Sequence, residues 1–142
     1  VAASIDRVVL DCSVSLAWYL EDEQSAFADS LLQGLVDTET WVPALWRIEF
    51  SNALLVAERR RRITGERRLE ILHQASLLPL QVDAHIHSLA ALSALATQWR
   101  LSAYDAVYFE LAQRRGVTLA TLDKSLVGAA RDAGLSFLTD ID

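Results

Sequence analysis

Asp11, Glu49, Asp105 and Asp123 are the side chains of this chain whose types and settings offer the most chemistry. Asp11 closes the apolar run Val8-Val9-Leu10, and Asp123 follows Leu119-Ala120-Thr121-Leu122. Glu49 interrupts Ala44-Leu45-Trp46-Arg47-Ile48-Glu49-Phe50, and Asp105 lies inside Leu101-Ser102-Ala103-Tyr104-Asp105-Ala106-Val107-Tyr108. A carboxylate buried without a partner costs several kcal/mol, so each needs a cation or hydrogen-bond donors. Mg²⁺ and Mn²⁺ take carboxylate oxygens and water as ligands. Three or four carboxylates around one cavity can hold one or two such ions. Two ions about 3.5–4 Å apart activate a water and stabilise the leaving oxygen of a phosphodiester. Until metal arrives, crowded like charges raise carboxyl pKa values. No Ser-His-Asp arrangement competes, because His73, His85 and His87 lie far in sequence from the acidic stretches.

Taken singly, the acids also have structural explanations. Asp105 can cap a helix together with Ser102, and Asp123 can be the N-cap before Lys124-Ser125-Leu126. Glu49 can pair with Arg47 or another arginine. Asp11 can bond neighbouring backbone amides, although an Asp at the end of a buried strand seldom has a structural task. It is the set, with its placement at strand ends, that points to a metal centre.

The elements that must position these residues alternate. Short β-prone stretches occur at 7–10, 41–42, 80–82, 118–120 and 136–138. The first is apolar without alternation, as in a sheet covered on both faces. Helical patterns fill 13–20, 24–36, 44–62, 66–77, 86–99, 103–115 and 125–133, with Ser13 a possible first N-cap and Gly116 and Gly134 as C-caps. The expected fold is therefore α/β, three layers with helices on both faces of a parallel sheet of about five strands. Ligands in such sheets bind beyond the carboxyl ends of the strands, at a topological switch point. Asp11 and Asp123 each follow a strand candidate. Glu49 shares a helix face with Leu45, Asn52 and Val56, which turns it inward while Arg47 points out.

Length and charge narrow the function. A chain of 142 residues is expected to form one domain, spanning 1–142, and 52% hydrophobic residues suffice for its core. A net charge of −6 argues against broad coating of nucleic acid but leaves local contact open. Cys12, the one cysteine, has no internal disulfide partner and is expected to be a reduced, inert core thiol. No apolar run is long enough to span a membrane. The N-terminus lacks signal-peptide character, so a cytoplasmic location is expected.

In order and separation, the motifs resemble those of PIN-domain nucleases, most closely the VapC-type ribonuclease toxins of type II toxin–antitoxin pairs. Val9-Leu10-Asp11-Cys12-Ser13 is similar to that family's opening strand with Asp-x-Ser or Asp-x-Thr. Pro43-Ala44-Leu45-Trp46-Arg47-Ile48-Glu49-Phe50-Ser51-Asn52-Ala53-Leu54 resembles its Glu-bearing helix with Asn-Ala-Leu. Tyr104-Asp105-Ala106 and Thr121-Leu122-Asp123 resemble the third and fourth acidic motifs. The resemblance implies Mg²⁺- or Mn²⁺-dependent endoribonuclease activity on an RNA substrate. It implies that Asp11, Glu49, Asp105 and Asp123 form the acidic, metal-binding site, with Ser13 and Thr121 supporting it by hydrogen bonds. It further implies a homodimer or toxin–antitoxin hetero-oligomer and a cognate VapB-like antitoxin whose tail can fill the site. A fifth acid sometimes found near the fourth has no clear equivalent here, where Lys124 stands.

Three other features carry weaker signals. Arg59-Arg60-Arg61-Arg62 with Arg67 and Arg68 offers either an RNA-backbone patch or a solvated helix end, where cations suit the dipole. His85-Ile86-His87 has no cysteine to complete a zinc set and is expected to have a surface role. Trp18, Trp41, Trp46 and Trp99 are expected as core or dimer anchors, Trp46 as the foremost interface residue. A rival to catalysis is a PIN-like scaffold that binds RNA or protein without cutting. Receiver-like or phosphatase chemistry fits poorly: Ser13 stands where a phosphatase needs a second Asp, and no glycine-rich phosphate loop occurs.

Overall fold

The computed structural model describes residues 6–141. Residues 1–5, part of the stretch without signal-peptide character, lie outside the described residues, as does Asp142. Five parallel strands form one sheet: β1 (Arg7–Leu10), β2 (Glu39–Pro43), β3 (Leu80–Asp83), β4 (Thr118–Ala120) and β5 (Phe137–Leu138). Their spatial order is β3-β2-β1-β4-β5. Val8, Val9 and Leu10 of the central β1 are all buried, which is why that strand reads as a continuous apolar run.

Among the described residues seven α-helices connect and cover the strands: α1 (Cys12–Ala17), α2 (Ala26–Gln33), α3 (Leu45–Arg59), α4 (Gly65–Ser76), α5 (Leu89–Trp99), α6 (Ala103–Arg115) and α7 (Lys124–Ala133). From β1 the chain steps outward to β2 and β3, then crosses back to β4 and on to β5. Right-handed crossovers therefore place α1 to α4 on one face and α5 to α7 on the other. The packing agrees: α3 lies against α1 and α4, and α6 against α5 and α7. Adjacent β1 and β4 send their onward connections in opposite directions, so a crevice opens beyond their carboxyl ends.

Of the differences from the sequence reading, two boundaries and one helix face have a local reason. The first helix begins at Cys12, so Ser13 lies inside α1 and does not cap it. The fifth begins at Leu89 behind the Ser88 cap, whose hydroxyl accepts from the Ala91 N–H (3.1 Å); residues 84–88 stay outside the helix. On α3 the buried stripe is Trp46, Phe50, Leu54 and Ala57, one residue round from the expected face. Asn52 is exposed, and Leu45 and Glu49 sit half-buried on the stripe's margin. The Gly116 and Gly134 caps form as expected, both at positive φ (63° and 70°).

Trp46 corrects another expectation. It is 6% exposed within the chain, stacks on Phe50 at 5.0 Å and donates its indole N–H to Ser15 Oγ (2.8 Å). A ring so enclosed holds α3 to α1 and is not presented to a partner. Trp18 and Trp99 likewise pack against the core, Trp18 donating to the Ala28 carbonyl (2.7 Å) and Trp99 lying against Phe109 (5.6 Å). Among the described residues no helix is long and apolar enough to cross a membrane.

Candidate active site

The pairing of β1 with β4 continues one residue past both strands. The Asp11 N–H donates to the Ala120 carbonyl (3.0 Å), which sets Asp11 level with Thr121. Asp11 is 4% exposed. Two hydroxyls converge on its Oδ2: Ser13 Oγ donates at 2.5 Å and Thr121 Oγ1 at 2.9 Å. The same hydroxyls accept in turn, Ser13 from the Leu122 N–H (3.0 Å) and Thr121 from the Asp123 N–H (2.9 Å). Ser13 and Thr121 thus tie the turn after β4 to the Asp11 carboxylate. Burial nevertheless pushes the Asp11 carboxyl above the usual range, outweighing those two hydrogen bonds, and the charge of Asp123 adds to the rise.

Glu49 approaches from α3. Its partner is Tyr108, whose phenol donates to Glu49 Oε1 at 2.6 Å, not Arg47, which points outward. Desolvation raises the Glu49 pKa, and Asp11 raises it further against the Tyr108 bond. Tyr108 is fully buried, one turn beyond Asp105 on α6. It was not among the residues expected at the site, although the i, i+3 spacing from Asp105 places it on the acidic face.

Asp105 stands in the first turn of α6, where its N–H is capped by Ser102 Oγ (3.1 Å). Its carboxyl is pushed up to about 7, first by burial and then by Asp123, Asp11 and Glu49. Asp123 is the N-cap of α7: Oδ1 accepts from the N–H groups of Ser125 (2.8 Å) and Leu126 (3.1 Å). The cap uses one carboxylate oxygen, so capping and a place in the acidic group are compatible. Only Asp11 of the four is buried; Glu49, Asp105 and Asp123 are half-exposed, so the crevice is open on one side.

The four acids therefore share one electrostatic neighbourhood, and among the described residues no Arg, Lys or His forms an ion pair with any of them. Asp83 is the internal contrast. It too ends a strand and is 6% exposed, but Arg114 and Arg115 clasp it. Those bonds hold its carboxyl below the usual range despite burial. The donor set at the acidic crevice is all oxygen, which suits a hard divalent cation. Its oxygens are spread: among the described residues only His85, His87 and Glu110 bring three potential ligand atoms within 4.8 Å of one another. Mg²⁺ keeps several of its waters, so a spaced carboxylate set fits an ion held partly through water. Cys12 beside Asp11 is no competitor as ligand or nucleophile, since burial, Asp11 and Glu49 push its thiol far above the ordinary range.

The PIN domain family model matches residues 8–132, a span that contains all four acids. The chain belongs to the PIN domain family. A search of curated proteins gave no match to this PIN domain. Among solved structures it is similar to PAE2754 of Pyrobaculum aerophilum, at 21% identity over 89% of this chain and 87% of that one (TM-score 0.62). It is also similar to VapBC2 of Rickettsia felis, solved bound to a DNA fragment from their promoter, at 11% identity over 94% and 98% (TM-score 0.66). FitAcB of Neisseria gonorrhoeae is similar at 17% identity over 92% and 96% (TM-score 0.60). At such identities these likenesses are of fold, and they extend over nearly the full length of each chain.

Proposed function

We propose that this PIN domain is a Mg²⁺- or Mn²⁺-dependent endoribonuclease, the toxin of a type II toxin–antitoxin pair. One observation carries the reading: four carboxylates are gathered at the switch point with no ion pair to Arg, Lys or His among the described residues, while the comparable Asp83 is neutralised by two arginines. A scaffold that only bound RNA or protein would gain nothing from keeping that repulsion. The fold likeness to VapBC2 and FitAcB supports the toxin–antitoxin part of the reading. Its partners are RNA, a VapB-like antitoxin and a second copy of the chain.

In this reading Asp11, Glu49, Asp105 and Asp123 would hold the cation. A bound divalent ion supplies Lewis acidity and brings the pKa of a coordinated water toward neutrality. Ser13 and Thr121 keep Asp11 in one orientation, with Oδ2 saturated by their hydroxyls. Tyr108 fixes Glu49 by its Oε1, and the other carboxylate oxygen would be the one to meet the cation. Hydrolysis forms one P–O bond from water and breaks another. Carboxylates alone repel a phosphodiester, so these acids would act on the scissile phosphate only through the cation they would hold.

The test is cleavage of RNA by purified wild type, Asp11→Asn and Asp105→Asn, with Mg²⁺, with Mn²⁺ and in chelator. Wild type should cut only with metal, and each variant should lose roughly a hundredfold or more. Variants that cut as fast as wild type would remove the acids from the mechanism. Wild-type protein that binds RNA but cuts with neither metal would favour the scaffold.

A further inference from the structure

We propose that His85, His87 and Glu110 form a transition-metal site, selective for Zn²⁺ over Mg²⁺ and separate from the four-acid crevice. The chain leaves β3 at Asp83 and reaches the Ser88 cap through a non-helical segment, 84–88. Side chains two apart on an extended chain face the same way. The rings of His85 and His87 accordingly meet edge to face, centroids 4.8 Å apart. From α6, Glu110 comes up against them, with Oε2 2.7 Å from His87 Nε2. The three ligand atoms lie within 4.8 Å of one another.

Two imidazoles and a carboxylate are a donor set that Zn²⁺ takes at about 2.0–2.2 Å, leaving a fourth position open. Tetrahedral ligands at that radius stand about 3.4 Å apart, so His87 Nε2 and Glu110 Oε2 must open from 2.7 Å while His85 closes on them from within 4.8 Å. His85 is exposed and has the freedom to do it. On binding, the ion takes the place of the proton between His87 Nε2 and Glu110 Oε2: a neutral ring adopts the tautomer with its proton on Nδ1, and a doubly protonated ring gives up one proton to solvent.

Glu110 is held for the task from behind. Arg114 Nε donates to its Oε1 at 2.7 Å, and the same guanidinium bonds both oxygens of Asp83, an outer partner that fixes the orientation of the ligand carboxylate. Asp83 and Glu110 are balanced by Arg114 and Arg115, so no surplus negative charge draws cations here. Selection rests on the imidazoles, which favour Zn²⁺, whereas Mg²⁺ prefers oxygen. Both histidines also line a cleft of about 280 Å³ walled by Pro43, Leu45, Leu92 and Val107. A small ligand therefore has access to the open position. The pair was readable only as His-x-His without a third ligand; Glu110 lies 23 residues beyond His87, on another element.

The experiment is Zn²⁺ titration by calorimetry, with Mg²⁺ in excess, on the full chain carrying Asp11→Asn and Asp105→Asn. That background silences the acidic crevice, so the result stands whether or not the nuclease reading does. One equivalent of Zn²⁺ should bind. Adding His85→Ala should weaken it at least about tenfold. Co²⁺ should give a visible d–d band that His87→Ala abolishes. Circular dichroism melting establishes that each variant is folded, and exposed His85 can be replaced without touching the core. No Zn²⁺ binding to the acid-silenced chain, or equal affinity after either histidine is removed, would overturn the site.

Discussion

Asp105 is the carboxylate whose charge changes near neutral pH. Burial, then Asp123, Asp11 and Glu49, bring its pKa from 3.8 to about 7. Between those values the folded protein holds a proton that the unfolded chain has lost. Metal-free stability must therefore fall as pH rises through that window, with the full loss above it. The raised pKa values of Asp11 and Glu49 act in the same direction. Asp105→Asn in chelator should then melt higher than wild type at about pH 8, and about equal to it near pH 3, below both pKa values. Equal melting temperatures at the higher pH would mean the acids do not repel. At this scale the sequence was informative about where acids interrupt apolar runs and silent about which would find partners. Asp11 and Asp83 are both buried at strand ends, yet only Asp83 meets guanidinium groups, and those lie 31 and 32 residues further on. Nothing local to either residue distinguishes them.

The Asp83 clasp belongs to the scale of elements, because it joins the carboxyl end of β3, an edge strand, to the last turn of α6. Arg115 also lies over the Trp41 ring of β2 at 3.4 Å, so the clasp reaches two strands. Asp83→Asn should cost about 1–3 kcal/mol at neutral pH, since hydrogen bonds to charged groups are lost from a buried oxygen pair. The Asp83 carboxyl is held below its usual range, so this contribution is present above its unfolded pKa and disappears as pH falls through the folded value. Denaturant melts at pH 7 and about pH 2 should show the wild-type advantage at the first and its decline at the second. An advantage that persisted in acid would contradict the ion-pair account. The elements themselves were largely legible. The strands β1 and β4 and the helix α6 stand where the apolar runs and the Ser102 and Gly116 caps place them. What failed was the start of α5: the apolar pattern runs back to Ile86, but Ser88 caps the helix at Leu89 and leaves His87 outside it. A periodicity argument cannot see a cap that a tertiary contact, here His87 with Glu110, holds in place.

For the whole molecule, the acidic crevice and the arginine run stand at opposite ends of α3. The net charge is −6, and the acidic crevice lies at the carboxyl edge. Helix α3 starts at that edge after β2 and runs away from it, so Arg59 stands about 15 Å beyond Glu49 at 1.5 Å per residue. The arginine run that follows is not one surface. Arg62 pairs with Asp22 and Glu23, Arg68 with Glu58, and Arg67 with Glu70. Arg59, Arg60 and Arg61 remain exposed, and among the described residues none of the three forms an ion pair. An acidic nuclease must still attract a polyanion, and these three are placed to meet RNA backbone well outside the crevice. Replacing all three by Ala should leave the single-turnover rate at saturating RNA unchanged, because none reaches the acids. Affinity at low salt should weaken, and the slope of log affinity against log salt should fall by up to about 2, roughly 0.7 for each single-strand phosphate that is no longer neutralised. Screening should bring the two proteins together at high salt. Unchanged affinity at low salt would return the three arginines to a purely structural role, completing a helix end where cations suit the dipole.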